Sequence, residues 1–433
     1  MIAIATLLAL TIARPAVAQE RTETGDNPNG DDIVVQATRS GRSADKEPIR
    51  VEMLDREEIE EKLMMTPGNI AMLVSETPGI RTQITSPSLG SADIRMQGLK
   101  GRYTQLLADG LPLYGGQLPA VGLLQIPPTD LGQIEIIKGA ASALYGPSAL
   151  GGVINLVSRR PSAVPEADIL LNATSFGGQD ATIYATTPIG DGWSVSLTGG
   201  YSRQDRQDLN HDGWADIPGY DRWTIRPRLF WTGANGAKIM LTVGGMTEQR
   251  DGGTLPGDFA PGGQPFPQTL YSKRLDGGVV ADIPLAPGTL HIRASGMTQN
   301  DDHHYSMTIE DDHRRSFFAE TSYTTKSGPT SWLAGAAFQA DLFRSPQFST
   351  FNYSYTAPAL FGQVEQILID RLTLASSLRW DAHSEYGSRI SPRLSLLYHP
   401  ERWTIRASLG RGFYAPTPFV EEIEEAGLSR LKP

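Results

Sequence analysis

A chain of 433 residues is longer than one hydrophobic core usually serves, so it holds two structural units or one very large β architecture. Its 39% hydrophobic content, 45 glycines and 30 prolines, with Thr, Ser, Tyr and Trp scattered evenly, exclude an all-helical fold. A net charge of −10 excludes general affinity for nucleic acid, which needs a basic face, and the lack of cysteine excludes disulfide frameworks and thiolate chemistry.

The first thirteen residues, MIAIATLLALTIA, form an apolar run too short to span a bilayer comfortably, and Ala16-Val17-Ala18 follows with the small-x-small pattern cut by export peptidases. Residues 1–18 are expected to be a signal peptide. No later stretch approaches eighteen apolar residues, so any role in a membrane falls to strands. Residues 19–44 are polar and rich in turn formers, too poor in large apolar groups to fold alone, and they read as a tether. Within it DIVVQATR (32–39) carries Ile33, Val34 and Val35, an extended segment whose unpaired backbone groups can join the sheet edge of a partner.

Residues 45–160 read as a small mixed α+β domain. Asp55 followed by Glu58, Ile59 and Leu63 predicts an N-capped amphipathic helix, and Thr66-Pro67 opens a second that stops before Thr77-Pro78-Gly79. Thr104–Ala108, the turn pair Asp109-Gly110 and Leu111–Tyr114 predict a hairpin. Ile134–Lys138 and Val153–Val157 read as buried strands around a one-turn helix near Ala141–Leu144.

From Pro161 to residue 433 the helix signals vanish, and alternating segments such as WSVSLTGGYSRQ and DRWTIRPRLFWT take over, each near the length of about ten residues that a tilted strand needs to cross a bilayer. Short connections (PIGDG, GANG, PLAPG, KSGP) take turns with longer polar ones at 205–219, 250–269, 302–312 and 345–356. That parity marks a transmembrane β-barrel, with tight turns on the periplasmic side and long loops outside; a soluble sandwich has no reason to sort its loops this way.

Two loops carry potential ligands. Asp208, Asn210 and Asp212 at alternate positions, then Gly213 and Asp216, match the oxygen spacing of a calcium loop without its twelfth-position Glu, and they equally suit an Asx-rich turn. His303, His304 and His313 gather in DDHHYSMTIEDDH, a pattern of a solvated loop or of metal-complex ligands. No Gly-x-Ser-x-Gly, HExxH or phosphate loop occurs, so nothing points to an enzyme.

Signal, tether, α+β domain and barrel sheet, taken in order, resemble the TonB-dependent outer-membrane receptors. DIVVQATR is similar to a TonB box, and ADIRMQGLKGRYTQLLADGLPLYG (92–115) and QIEIIKGAASALYGPSALGGVINLVSRRP (133–161) to the family's plug signatures. The resemblance implies a mainly β protein, with a plug followed by an antiparallel barrel embedded in outer-membrane lipid. It implies TonB, with ExbB and ExbD, as the partner of Asp32, Ile33, Val34, Val35, Gln36 and Ala37. It implies that Arg95 and Lys138 of the plug pair with barrel glutamates, and that outward plug apices at 82–91 and 114–120, with Tyr114 and Gln117, touch the ligand. That ligand is a ferric siderophore by this resemblance, with cobalamin next, and no cofactor is required; calcium in loop 208–216 stays a candidate on its spacing alone. A secreted, β-rich carbohydrate-active or adhesive protein is the alternative of another class. Plugged transporters have about 22 strands, and about thirteen can be counted here, so a truncated record is expected, with unpaired sheet edges near Ala167 and Arg406.

Overall fold

A computed structural model describes residues 35–36, 44–65, 70–86, 89–114, 128–260, 262–400 and 403–418. The expected signal peptide, Asp32, Ile33, Val34, Ala37 and Gln117 lie outside the described residues.

The first unit is built on a four-stranded sheet in the order β1 (Val51–Leu54), β5 (Leu131–Lys138), β6 (Gly152–Ser158), β4 (Thr104–Ala108). Only the β4–β6 pair is parallel. Strand alternation splits its apolar residues between two faces: Leu106, Ile134, Ile136, Ile154 and Leu156 join the main core, while Leu107, Ile137 and Val153 face a second cluster. Burial on both faces explains why β5 and β6 read as near-continuous apolar runs. The main core is closed by α1 (Arg56–Met65) and α2 (Ile70–Ser75) through Ile59, Leu63, Ile70 and Leu73. As expected, Asp55 caps α1, its Oδ1 accepting the Glu58 N–H at 3.0 Å.

A hairpin of β2 (Ile80–Ser86) and β3 (Ser91–Met96) and a single helical turn, α3 (Ser142–Tyr145), complete the unit. The Asp109-Gly110 turn forms with both residues at positive φ, but after the Ala108–Leu111 bridge the chain turns away, so Leu111–Tyr114 is not a strand. Gly152 has φ +149°, and a Cβ there would overlap the Ile137 carbonyl oxygen and the Met96 sulfur, which requires glycine at the start of β6.

The second unit is one antiparallel sheet of thirteen strands in sequence order, from β7 (Glu166–Ala173) through β8 (Gln179–Gly190), β9 (Trp193–Gln204), β10 (Gly219–Thr232), β11 (Lys238–Gly253), β12 (Pro267–Leu285), β13 (Gly288–Tyr305), β14 (Thr308–Ser327), β15 (Thr330–Arg344), β16 (Tyr353–Ile369), β17 (Leu372–His383) and β18 (Gly387–Tyr398) to β19 (Ile405–Gly410). Among the described residues β7 and β19 stand at its two edges, unpaired with each other, near the positions expected. Two-residue turns at 191–192, 286–287, 328–329 and 370–371 lie at one end, and the long connections 205–218 and 345–352 at the other.

One expected loop is absent. Residues 302–312 continue β13 and β14 into a hairpin closed by Ser306 and Met307, with Asp302 opposite Asp311 and His303 opposite Glu310. Polar residues read as loop only where a strand must meet lipid; beyond the bilayer a ladder can carry them.

Candidate functional site: the plug against the barrel wall

The wall strands alternate, and β10 shows apolar residues turned outward with polar ones toward the plug. In β10 the even positions Arg222, Arg226 and Arg228 are buried, while Trp223 and Ile225 are 61% and 57% exposed. Arg228 Nη1 lies 2.6 Å from Asp130 Oδ2 of the plug, and its Nε 3.9 Å from Asp109 Oδ2. Asp109 also accepts the Ser158 N–H at 3.0 Å and the Ser158 hydroxyl. Other wall arginines grip the plug by its backbone: Arg250 donates to Leu89 O at 2.9 Å, Arg379 to Leu144 O at 3.2 Å, Arg393 to Ala140 O at 2.8 Å and Arg406 to Glu47 O at 2.9 Å.

This reverses the expected polarity. Cations were expected on the plug and carboxylates on the wall, whereas the arginines stand on the wall and the plug offers Asp109, Asp130 and carbonyl oxygens. Lys138 is held inside the plug instead, by Glu52 and the Pro78 carbonyl, because β1 brings Glu52 alongside the end of β5. Arg95 is half-buried, and its Nε has no hydrogen-bond partner. Tyr114 is not an exposed apex either: it is 5% exposed, with the guanidinium of Arg274 4.8 Å and that of Arg226 5.9 Å from its ring centre. Arg226 itself forms a two-pronged pair with Asp276, at 2.7 and 2.9 Å. The signal for these contacts stood in DRWTIRPRLFWT, where three arginines share one strand parity.

The tether meets the plug at the end with the short turns, where Arg406, next to the 399–404 connection, binds residues 44 and 47. Val35 is fully buried in the second cluster beside Ile49, Leu107 and Val153. Gln36 donates its N–H to Glu135 Oε1 at 2.7 Å, and this buried carboxylate also accepts from Gln133 at 2.6 Å and Asn155 at 2.9 Å. The described part of DIVVQATR is thus docked on the plug.

Toward the opposite end a pocket opens between plug and wall, lined by Pro147 and Ser148 of the plug and by inward residues including Arg314, Tyr353, Tyr355 and His383. The aromatic rings form a continuous surface: Phe343 to Tyr353 at 5.9 Å, Tyr353 to Tyr355 at 4.8 Å and Tyr355 to His383 at 5.1 Å. The Arg314 guanidinium lies 5.2 Å from the Phe343 ring, with Asp312 at 3.3 Å. Sequence reasoning missed this pocket, since its residues come from β14, β16 and β17.

The two candidate ion sites do not assemble. His303 contacts Gln268 at 3.1 Å, His304 contacts Asp302 at 2.8 Å on the other face of the strand, and His313 bonds Asn300. In the 208–216 loop, Asp208 accepts the N–H groups of His211 at 2.7 Å and Gly213 at 2.9 Å, and Asp216 accepts that of Leu209 at 2.8 Å. Asp212 accepts the Trp214 N–H at 2.9 Å, and the Asn210 carbonyl that of Asp212 at 3.0 Å. Among the described residues no three acidic or histidine side chains converge as a cation site. In this loop the same oxygens cap the backbone as Asx turns.

A mixed α+β plug gripped inside an antiparallel wall whose outer face is apolar defines a plugged outer-membrane receptor. Residues 43–153 match the TonB-dependent receptor plug domain, and residues 150–421 the TonB-dependent receptor-like β-barrel. The chain belongs to the TonB-dependent receptor family. It is 29% identical to the ferrioxamine receptor of Yersinia enterocolitica over 194 residues, which cover 44% of this chain and 26% of that protein. It is 23% identical to the vitamin B12 transporter BtuB of Vibrio cholerae over 425 residues, 93% of this chain and 65% of that protein. The crystal structure of the siderophore receptor PirA from Pseudomonas aeruginosa has the same fold, with a TM-score of 0.68 at 18% identity, over 85% of this chain and 62% of that one. The chain thus spans 26 to 65% of the length of these relatives.

Proposed function

We propose that the protein imports a ferric siderophore across the outer membrane, driven by TonB with ExbB and ExbD. The observation that carries this reading is the pocket of Arg314, Tyr353, Tyr355 and His383 above the plug, where aromatic faces and a guanidinium suit one planar donor group at the edge of an iron chelate. The likeness to a ferrioxamine receptor and to PirA supports the same cargo class. The docked Val35–Gln36 segment supplies the coupling element: TonB must draw it from the plug and pair with it as an added strand.

Titration of the purified protein with ferrioxamine B, ferric enterobactin and cyanocobalamin, read by tryptophan fluorescence, tests the cargo. One of the iron chelates should bind, and Tyr355→Ala should weaken it by about tenfold, the loss of one well-packed aromatic contact. Binding of cyanocobalamin alone would overturn the reading. In cells, Val34→Pro should abolish uptake and leave ligand affinity unchanged, because proline removes a backbone donor from the added strand.

A further inference from the structure

The face of the plug sheet that receives Val35 carries a buried polar pair. Glu135 on β5 and Asn155 on β6 are register partners, both 0% exposed, on the same face as Leu107, Ile137 and Val153. Such a pair is costly unless each group is matched, and the matching reaches beyond both strands. Glu135 Oε1 accepts the Gln36 N–H at 2.7 Å and the Gln133 side chain at 2.6 Å, while its Oε2 accepts Asn155 Nδ2 at 2.9 Å. Asn155 Oδ1 in turn accepts the Gly110 N–H at 2.8 Å. Because a carboxylate only accepts and a backbone N–H only donates, one orientation of the Asn155 amide serves both neighbours. A continuous hydrogen-bonded row therefore crosses the sheet from the tether at β5 to the turn that follows β4, the edge strand.

That turn bears on the wall. Asp109 lies 3.4 Å from Arg160 and 3.9 Å from Arg228 Nε, and Gly110 sits so close to Arg293 that a Cβ would stand 3.3 Å from its Nε. Arg228 is four residues from the end of β10 at Thr232, and Arg293 five from the start of β13 at Gly288, so the contact lies toward the end with the short turns. Tether and wall contact are thus joined through two buried side chains.

We propose that Glu135 and Asn155 are positioning residues that couple the tether to the plug's grip on the wall: when Gln36 leaves Glu135, the Asp109-Gly110 turn loosens from Arg228 and Arg293 and the plug opens first in this sector. Departure of Val35 uncovers the pair, and departure of Gln36 takes a donor from the carboxylate. Water recruited by Glu135 then competes for Asn155 and for the Gly110 N–H, and a bond that was strong while dry is given up easily. The proposal rests on the reading that TonB draws residues 35–36 from the plug.

Hydrogen exchange of residues 104–114, followed by mass spectrometry on the purified protein without TonB or cargo, tests the relay. Gln36→Pro removes the N–H that reaches Glu135 and should speed exchange of this segment about fivefold, the worth of one buried hydrogen bond, whereas Gln36→Ala keeps that N–H and should leave the rate unchanged. In Glu135→Gln two amides face each other and one donor meets another whichever way they turn, so adding Gln36→Pro should change nothing further. Adding Asn155→Asp to Glu135→Gln moves the carboxylate to β6 with every donor matched again, and sensitivity to Gln36→Pro should return. An unchanged rate in Gln36→Pro, the same acceleration in all three backgrounds, or no recovery in the doubly exchanged protein overturns the relay. Glu135→Gln is isosteric, and if it nevertheless fails to fold, Gln36→Pro against Gln36→Ala in the unaltered chain decides. Failure here leaves the TonB reading standing, since that reading falls only if Val34→Pro still imports.

Discussion

In the plug sheet Leu106, Ile134, Ile136 and Ile154 are 4% exposed or less, whereas Ile225, Leu275, Leu360 and Leu378 on the wall are 54 to 57% exposed, although all eight sit on well-paired strands. The plug is a water-folded domain held by apolar burial. The wall is inverted: its apolar face awaits hydrocarbon, and the residues it buries include Arg228, Glu248, Arg250 and Asp381. Where the two meet, the wall therefore presents charge, and the contact consists largely of arginines on carboxylates and carbonyl oxygens. Such bonds are directional, and water can replace them one at a time as the plug shifts, so the contact is strong at rest yet open to disruption by a pull on the tether.

The largest effect should follow from breaking that contact on one side only. Arg228→Ala leaves Asp130 buried without its counter-ion, while Asp109 keeps Arg160 at 3.4 Å, and this should weaken plug docking by about 3–5 kcal/mol. Limited proteolysis of the plug inside the intact wall reads this directly, and unchanged protection would remove the polar-interface argument. Arg228→Gln combined with Asp130→Asn should cost less, since no charge is left stranded.

Next in size is one deletion made on both sides of the comparison. Ile136→Ala in the plug core should destabilise the plug by about 2–5 kcal/mol. Ile225→Ala on the outer face of the wall should stay within about 0.5 kcal/mol in detergent, because the side chain remains against hydrocarbon in either state. Denaturant melts followed separately for plug and wall compare them; equal shifts would mean that the two regions do not differ in what stabilises them.

How much of this was legible follows from the same contrast. The wall was readable strand by strand, since the alternation of lipid and lumen is written every second residue, and the polar hairpin at 302–312 failed only because it lies past the lipid that makes the alternation visible. The plug was readable where signals are local, at the Asp55 cap and the Asp109-Gly110 turn. Docking was not: Arg379 and Leu144 are 235 residues apart, Arg393 and Ala140 are 253, and no local pattern announces which carbonyl an arginine will meet. Lys138 shows the converse, a cation that invites a distant partner and finds Glu52 on the same sheet.

The smallest effect belongs to a third kind of structure, the 208–216 loop, which has neither an apolar core nor lipid and is held by side chains capping its own backbone. Desolvation pushes the Asp208 carboxyl up, but the N–H groups of Gly213, His211 and Asp212 outweigh it and hold the carboxyl below its usual range. A group whose folded pKa is depressed stabilises the fold above its unfolded value, and this contribution is lost as pH falls through the folded one. Protection of the His211 and Gly213 amides from hydrogen exchange should therefore hold steady at neutral pH and fall only below about pH 4, near the unfolded Asp value. Asp208→Ala should abolish that protection at every pH. These turns form without a cation, the oxygens of Asp208, Asp212 and Asp216 capping N–H groups of their own loop, so a chelator should leave the exchange rates unchanged at neutral pH. If chelation instead releases the Gly213 amide, the oxygens serve a cation, and the loop belongs with the metal sites rather than with the Asx turns.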